Sequence, residues 1–233
     1  MSSTIVVTGA GRGLGLCLVN RYLDSGWTVF AGTLQPSANL AALRKRSPER
    51  LFEISLDVTN SNSVITAAAE VAERVSSLDA LINNAAILPA EGRGLLPELA
   101  IDVGLKVYNV NALGPLRVTQ AFLPLLEKSQ RRLVVNISSE AGSVTNCWRK
   151  DEFLYCMSKS ALNMQTMILK NLLAPQGFQL LAIHPGWMRT DMGGSNADID
   201  PKEAAEGIFL LTNQPRETDA ETYIDYLGRP MRW

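Results

Sequence analysis

The chain has 233 residues, 46% of them hydrophobic and 19% charged, which suits a globular protein large enough to bury a real core. Its formal net charge is −1 at pH 7 and its basic residues are spread out; Arg44-Lys45-Arg46 reads as the solvated end of a helix, so nothing supports nucleic acid as the main partner. No apolar run is long enough to span a bilayer, and Ile5-Val6-Val7 is too short for a signal core, so neither a membrane nor a secreted protein is expected.

Thr4 to Val7, β-branched and apolar, is predicted as a short buried strand. The turn Thr8-Gly9-Ala10-Gly11-Arg12-Gly13-Leu14-Gly15 follows, and Leu14 to Leu23 carries apolar residues at helical spacing. Strand, glycine turn and helix in that order are the context a dinucleotide fingerprint needs, because helix N-terminal amides then face a pyrophosphate. Gly9 is expected to permit the tight turn, Gly13 to let a phosphate approach the backbone, and Gly15 to let the helix pack on the strand, with Gly11, Arg12 and Leu14 lining the same loop.

Trp27 to Ala31 is the second strand, and its carboxyl end selects the cofactor. An acid there would bond the adenosine ribose hydroxyls and favour NAD. The run is instead Gly32-Thr33-Leu34-Gln35, so Thr33 and Leu34 meet the ribose without a carboxylate. Arg12 is then placed to meet a 2′-phosphate, which favours NADP(H), with NAD(H) as the alternative; the competing reading has Arg12 pointing to solvent.

Ala38 to Arg46 reads as a helix and Leu51 to Leu56 as the third strand. Asp57 and Val58 follow at its carboxyl end, where ligands of such sheets gather; Asp57 either contacts the adenine amino group or caps the next helix with Val58-Thr59-Asn60. Ser63 to Val75 is a helix, and Leu78 to Ile82 a fourth strand ending in Asn83-Asn84-Ala85-Ala86. Small residues there allow a cofactor to approach closely and the amides can brace neighbouring strands; a plain polar turn is the alternative. Ile87 to Leu96 is a loop, and Asp102 to Glu127 a long helical region with Asn111 just ahead of Gly114-Pro115, where a kink or irregular turn is expected. Arg131 to Ile137 is a strand ending in Ser138-Ser139, followed by a polar loop holding Trp148, Arg149 and Lys150. Phe153 to Leu173 is a long helix, Phe178 to Ile183 a strand ending in His184-Pro185-Gly186, Pro201 to Leu211 a short helix, and Thr222 to Asp225 a last strand. This alternation, without repeat or linker, predicts an α/β fold: a Rossmann-like, doubly wound parallel sheet of about seven strands with helices on both faces, in one domain over residues 1–233.

The chemistry centres on Tyr155 and Lys159, four apart on one helix face. A free phenol has a pKa of about 10, and a fixed ammonium beside it favours the phenolate, so the pair can give and take a proton at a carbon–oxygen bond. Together with the glycine loop it points to hydride transfer coupled to proton transfer. Cys17, Cys147 and Cys156 lack metal-like spacing and are expected reduced, in a cytoplasm; with His184 the single histidine, no metal site is expected.

With these residues in view, the chain resembles the single-domain short-chain dehydrogenases/reductases over nearly its whole length. Thr8 to Gly15 fits TGxxxGxG, and Asn83 to Ala86 fits NNAG with Ala86 last. Asn111, Ser139 and Tyr155/Lys159 follow in the family's order, and Pro185-Gly186 with Thr190 fits PGxxxT. Asn111 through Thr119, and His184-Pro185-Gly186-Trp187 through Gly194, look most like the C-factor and sniffer-type carbonyl reductase branch. The Ser139–Tyr155 loop is a little longer than usual for the family but typical of that branch, and the short Thr190–Pro201 segment implies an open pocket with little lid. Ala86 adds a methyl where the cofactor passes.

The resemblance implies roles. Tyr155 is the general acid/base towards a carbonyl or alcohol substrate, and Lys159 lowers its pKa and bonds the nicotinamide ribose. Ser139, with Ser138 as the alternative, holds the substrate oxygen. Asn111 holds a water that links Lys159 to solvent. Thr190, with Pro185, Gly186 and Trp187, fixes the carboxamide face. It also implies a homo-oligomer, dimer or tetramer, paired through helices around Ala112 to Leu126 and Tyr155 to Leu173, the second carrying Leu162, Met164, Met167, Ile168 and Leu172. Besides an active NADPH-dependent reductase, two readings stand: a dinucleotide-binding signalling or sensor protein of the C-factor type, and, far behind, a methyltransferase on a similar sheet, where the Tyr155/Lys159 pair would have no use.

Overall fold

Thr4–Thr8 (β1), Thr28–Thr33 (β2), Leu51–Ser55 (β3), Ala80–Asn83 (β4), Leu133–Ile137 (β5), Gln179–His184 (β6) and Tyr223–Asp225 (β7) join in one sheet in the order β3-β2-β1-β4-β5-β6-β7. Every pairing is parallel, with Val6 opposite Phe30 on one side and Leu81 on the other. The computed structural model describes residues 2–214 and 220–233. The helices are Gly13–Asp24 (α1), Ala38–Arg46 (α2), Ser61–Ala72 (α3), Val103–Tyr108 (α4), Gly114–Leu126 (α5), Phe153–Leu173 (α6) and Pro201–Asn213 (α7). The expected doubly wound parallel sheet is therefore what the chain forms.

The period-two alternation of a strand divides the core in two. Ile5, Val7, Val29 and Ala31 pack with Leu18 and Tyr22 of α1 and Ile208 of α7. Val6 and Phe30, facing the other way, pack with Val64 of α3, Phe122 of α5 and Leu169 of α6. Because both faces are covered, the strands read as continuous apolar runs rather than alternating ones. Burying a side chain the size of Leu18 or Phe122 contributes about 1.5–3 kcal/mol.

Strand order reverses between β1 and β4, and the crevice at their carboxyl ends is where such sheets hold ligands. α4 and α5 are continuous through one π turn, Asn109–Leu113, the irregularity expected ahead of Gly114-Pro115. Gly114 and Pro115 follow directly on that turn, at the beginning of α5. The turn's extra residue rotates Asn111 inward until it is fully buried.

Several boundaries shift by one to three residues from expectation, as in β2, β4 and the ends of α3 and α7, and two of the shifts have a clear local reason. β5 starts at Leu133 rather than Arg131 because Arg132 sits at φ 48, outside the extended region. α3 starts at Ser61 rather than Ser63 because Asn60 caps it, its side-chain oxygen accepting from the amides of Asn62 at 2.9 Å and Ser63 at 3.1 Å. Among the described residues no helix is long and apolar enough to cross a membrane.

Candidate active site

The floor of the crevice is stitched by backbone and small side chains. The Thr8 hydroxyl accepts from the amides of Asn84 and Ala85, each at 3.0 Å, and the Asn84 side chain donates to the carbonyls of Thr8 at 2.8 Å and Gly9 at 3.1 Å. Asn84 thus does the bracing that the sequence allowed, tying β4 to β1, and Ala86 follows half-buried. Gly9 turns the chain at φ 64, which an L side chain rarely adopts. Gly15 is fixed by space: a Cβ there would lie 2.3 Å from the Gly9 carbonyl oxygen and 2.6 Å from Asn84 Nδ2.

Arg12 leads into α1 with extended backbone, no side chain caps the helix, and its first turn holds no acid. The first-turn amides and their partial positive charge are left to the crevice, an arrangement that fits the phosphates of a dinucleotide. Leu14 faces the core, and Gly13 faces Thr190, whose Cγ2 would be 3.5 Å from an added Cβ. Gly11 lies against Ser37 and Thr33, and the Ser37 hydroxyl donates to the Gly11 carbonyl at 2.9 Å. The Arg12 guanidinium does not simply point to solvent: it meets Asp191 at 2.5 Å, with both side chains about three-quarters exposed, at 78% and 76%.

At the end of β2, Leu34 is exposed while the buried Thr33 donates its hydroxyl to Glu53 at 3.1 Å. The Ser37 amide donates to the same carboxylate oxygen at 2.9 Å, so a carboxylate does sit behind this end of the groove, supplied by β3. Asp57 holds Thr59 through one oxygen, accepting from its amide at 2.9 Å and its hydroxyl at 2.7 Å. Asn60 is the cap of α3, which leaves the other Asp57 oxygen uncommitted among the described residues. Val58 is buried and its carbonyl accepts from Arg117.

Beyond β6, Pro185 leads into Gly186 at φ 82, and Ile199 fills the space over that glycine. Trp187, half exposed, donates its indole N–H to the Gly193 carbonyl at 2.8 Å. The Thr190 hydroxyl accepts from the Gly193 amide at 3.3 Å, and the Thr190 carbonyl from the Gly194 amide at 2.8 Å. Residues 187–199 therefore close on themselves as a tight excursion, in line with the short segment expected there.

The candidate reacting groups lie at the same carboxyl edge of the sheet. Ser139 follows β5 and accepts the Ala141 amide at 3.2 Å, while its carbonyl takes the Tyr223 hydroxyl at 2.6 Å. Ser138 spends its hydroxyl on Asn163 at 2.6 Å, whereas the Ser139 hydroxyl is the polar neighbour that favours the Tyr155 phenolate. Lys159, 2% exposed, donates to the Ile137 carbonyl at 2.8 Å with its Nζ 5.6 Å from the centre of the Tyr155 ring. The Asn111 amide is spent on bracing: it accepts the Ile87 amide at 2.8 Å and donates to the Ile87 carbonyl at 2.9 Å and to Ser158 Oγ at 3.0 Å.

Burial pushes the Tyr155 phenol up to about 12; the neighbouring Ser139 hydroxyl and the Arg149 cation pull it down, and Glu140 and Glu152 add to the rise. Burial also brings the Lys159 ammonium down to about 7. Desolvation is the largest influence on both groups, raising the phenol and lowering the amine. His184 is held below its ordinary value by burial and accepts the Glu140 amide through Nδ1 at 3.1 Å, as a neutral ring does.

Around Tyr155 lie charged groups from the loop between β5 and α6. Arg149 ion-pairs with both Glu140 and Glu152, and Arg93 lies 4.0 Å from Glu152. Nothing in their spacing marks them, apart from Glu140 following Ser139 directly. Among the described residues no group of His, Cys, Asp and Glu could hold a metal ion.

A family model described as short chain dehydrogenase matches residues 3–200. Rat estradiol 17-beta-dehydrogenase 2 is 36% identical over 94% of this chain, which spans 57% of that longer protein. C-signal of Myxococcus xanthus is 35% identical over 67% of this chain and 93% of its own length. The crystal structure of NADPH-bound carbonyl reductase from chicken fatty liver superposes with a TM-score of 0.89 at 32% identity, covering 100% of this chain and 99% of that one. The glycine loop that cradles a helix N-terminus, the Asn84 brace and the buried Ser139–Tyr155–Lys159 set agree with these matches: the chain belongs to the short-chain dehydrogenase family of oxidoreductases, on the branch that holds C-signal and the carbonyl reductases.

Proposed function

We propose that the protein is an NADP(H)-dependent oxidoreductase that interconverts a carbonyl compound and its alcohol, folded as one domain over residues 1–233 and working in a cytoplasm with Cys17, Cys147 and Cys156 as free thiols. The observation that carries the reading is the buried Ser139–Tyr155–Lys159 set at the same sheet edge as the uncapped N-terminus of α1. When bound, the nicotinamide supplies or takes up the hydride. Ser139 holds the substrate oxygen against Tyr155. A phenol held at about 12 keeps its proton near neutrality and gives it to an alkoxide, a far stronger base than phenolate. Lys159, at about 7, exchanges its own proton near neutrality and restores that of Tyr155. Asn111 braces the π turn against Ile87 and Ser158, and any water it holds for the proton path is met by its main chain.

For the cofactor, we assign the phosphates to Gly9, Gly11, Gly13, Leu14 and Gly15, the ribose and its substituent to Arg12, Thr33 and Leu34, and the adenine to Asp57 and Val58. Asn84, Ala85 and Ala86 form the floor, Tyr155 and Lys159 meet the nicotinamide ribose, and Pro185, Gly186, Trp187 and Thr190 meet the carboxamide. The Arg12–Asp191 pair is exposed and worth only about 0–1 kcal/mol, so a doubly charged 2′-phosphate competes with Asp191 for the guanidinium. The NADPH bound by the chicken carbonyl reductase supports the same choice. Glu53, behind Thr33, keeps NAD(H) open as the weaker ligand.

A titration of NADPH and NADH by nicotinamide fluorescence tests this, followed by a panel of aldehydes, ketones and quinones. Tighter NADPH binding with turnover of a panel member is expected; binding of neither cofactor overturns the reading. The resemblance to C-signal favours a second reading, a dinucleotide-binding signalling protein with little catalysis, which NADPH binding without turnover would select. We also read the protein as a homodimer through α5 and α6, on the exposed line Met157, Met164, Ile168 and Leu172, with Leu116 on α5; Leu162, counted with that face in the sequence, turns into the core.

A further inference from the structure

The loop that carries Ser139 and the helix that carries Tyr155 are tied together by one side chain. We propose that Arg149 is a positioning residue for proton transfer: by bridging Glu140 and Glu152 it holds the Ser139 hydroxyl against the Tyr155 phenol and sets the charge around that phenol. This rests on the reading of Ser139 and Tyr155 as the groups that meet substrate.

Glu140 is the residue after Ser139, and Glu152 is the residue before α6, three positions ahead of Tyr155. One nitrogen of the Arg149 fork pairs with Glu140 and the other with Glu152, so a single planar group spans both. All three side chains are largely withdrawn from water, at 19% exposed for Arg149, 32% for Glu140 and 14% for Glu152, which lifts this pairing above an ordinary surface contact. Glu152 is held at φ 55, a left-handed conformation that a non-glycine residue keeps only where its surroundings impose it, and α6 starts from that residue. The Arg149 Nε is buried without a hydrogen-bond partner among the described residues, so the two carboxylates are what hold the guanidinium in place. The Trp148 ring, its centre 5.1 Å from the guanidinium carbon, stacks against it. From Glu152 the network continues to Arg93, which donates to the Met192 carbonyl at 2.8 Å and so reaches the segment that holds Thr190.

The charged and titratable groups that face Tyr155 are Arg149, Glu140 and Glu152 across the loop and Lys159 one turn along α6. Behind them lie Arg93 on Glu152, the neutral His184 on the Glu140 amide, and Cys156, the next residue on the helix. Arg149 favours the phenolate and both glutamates oppose it. Removing the arginine therefore leaves two unpaired carboxylates beside the proton donor and also loosens the contact between Ser139 and Tyr155.

The test compares wild type, Arg149→Met, Arg149→Lys and Tyr155→Phe. NADPH affinity is read by fluorescence, reduction of 4-nitrobenzaldehyde and menadione by NADPH consumption, and oxidation of 4-nitrobenzyl alcohol across pH. Arg149→Met is expected to bind NADPH within about twofold of wild type and to lose about tenfold or more in kcat, with the pH midpoint of alcohol oxidation moved upward. Arg149→Lys keeps the charge and so the midpoint, yet loses turnover, because an ammonium does not hold both carboxylates at once. Wild-type kcat in Arg149→Met, lowered kcat with an unmoved midpoint, or loss of NADPH binding in both arginine variants would each overturn the inference. Full turnover in Tyr155→Phe, or none in wild type, would instead sink the reading of the site on which it rests.

Discussion

Lys159 sits at an unusual depth for an amine, with one carbonyl partner at 2.8 Å, and its proton is correspondingly loose. Its pKa in the fold, about 7, lies below the ordinary 10.5, so between those values the unfolded chain binds more protons than the folded one. For this group alone stability therefore rises with pH from about 7 to about 10.5, and the amine costs most below that window. Lys159→Met removes this dependence. Urea denaturation across pH should show the variant gaining most over wild type near neutrality, the gap closing by up to about 1.4 kcal/mol per pH unit as pH rises. Parallel stability curves would contradict the buried, partly neutral amine. Arg12 and Asp191 give a second expectation. Arg12→Ala should weaken NADPH much more than NADH, and Asp191→Asn, which releases the guanidinium, should tighten NADPH by a few-fold and leave NADH alone; equal effects on both cofactors, read by fluorescence titration, would remove the 2′-phosphate role. The glycine loop and the Tyr155/Lys159 spacing were legible because each is a local pattern with a local physical cause. The Arg12–Asp191 pair, 179 positions apart, and the bridge from Arg149 to Glu140 were not, because only the fold brings their members together.

At the scale of elements, the site is placed by how helices begin and where one is interrupted. α1 begins uncapped where the crevice opens, and α6 begins from the left-handed Glu152, three residues before Tyr155 in its first turn. The π turn between α4 and α5 buries Asn111 next to Ser158, on the turn of α6 that carries Lys159. Strand and helix order followed from periodicity, and Gly114-Pro115 announced an irregular turn. Boundaries depended on details that periodicity does not encode, such as the cap at Asn60 and the positive φ of Arg132. The outer faces carry their own prediction. Met164, Ile168 and Leu172 stand exposed on one side of α6 at 64%, 59% and 62%, more apolar surface than a solvated helix usually presents. Light scattering at micromolar concentration should give a dimer mass for wild type and a monomer mass for the double variant Met164→Glu, Ile168→Glu; a monomeric wild type would count against pairing through this face.

Across the whole molecule, the candidate groups gather at the carboxyl edge of one parallel sheet, some from its strands and some from the helices packed on it. β1 and β4 supply the floor, β2 and β3 the end where Thr33 meets Glu53, β5 the serine and β6 the segment with Thr190. Two cores, one on each face of the sheet, hold that edge in place. The same edge brings a proton donor beside a glycine cradle, and the account turns on whether that donor works. The most direct measurement is carbonyl reduction by Tyr155→Phe beside wild type, with NADPH affinity determined on the same samples. The account predicts turnover reduced by about 100-fold to 10,000-fold with NADPH affinity nearly unchanged, since the substitution removes one hydroxyl and leaves the ring packed. Wild-type turnover in Tyr155→Phe would contradict it.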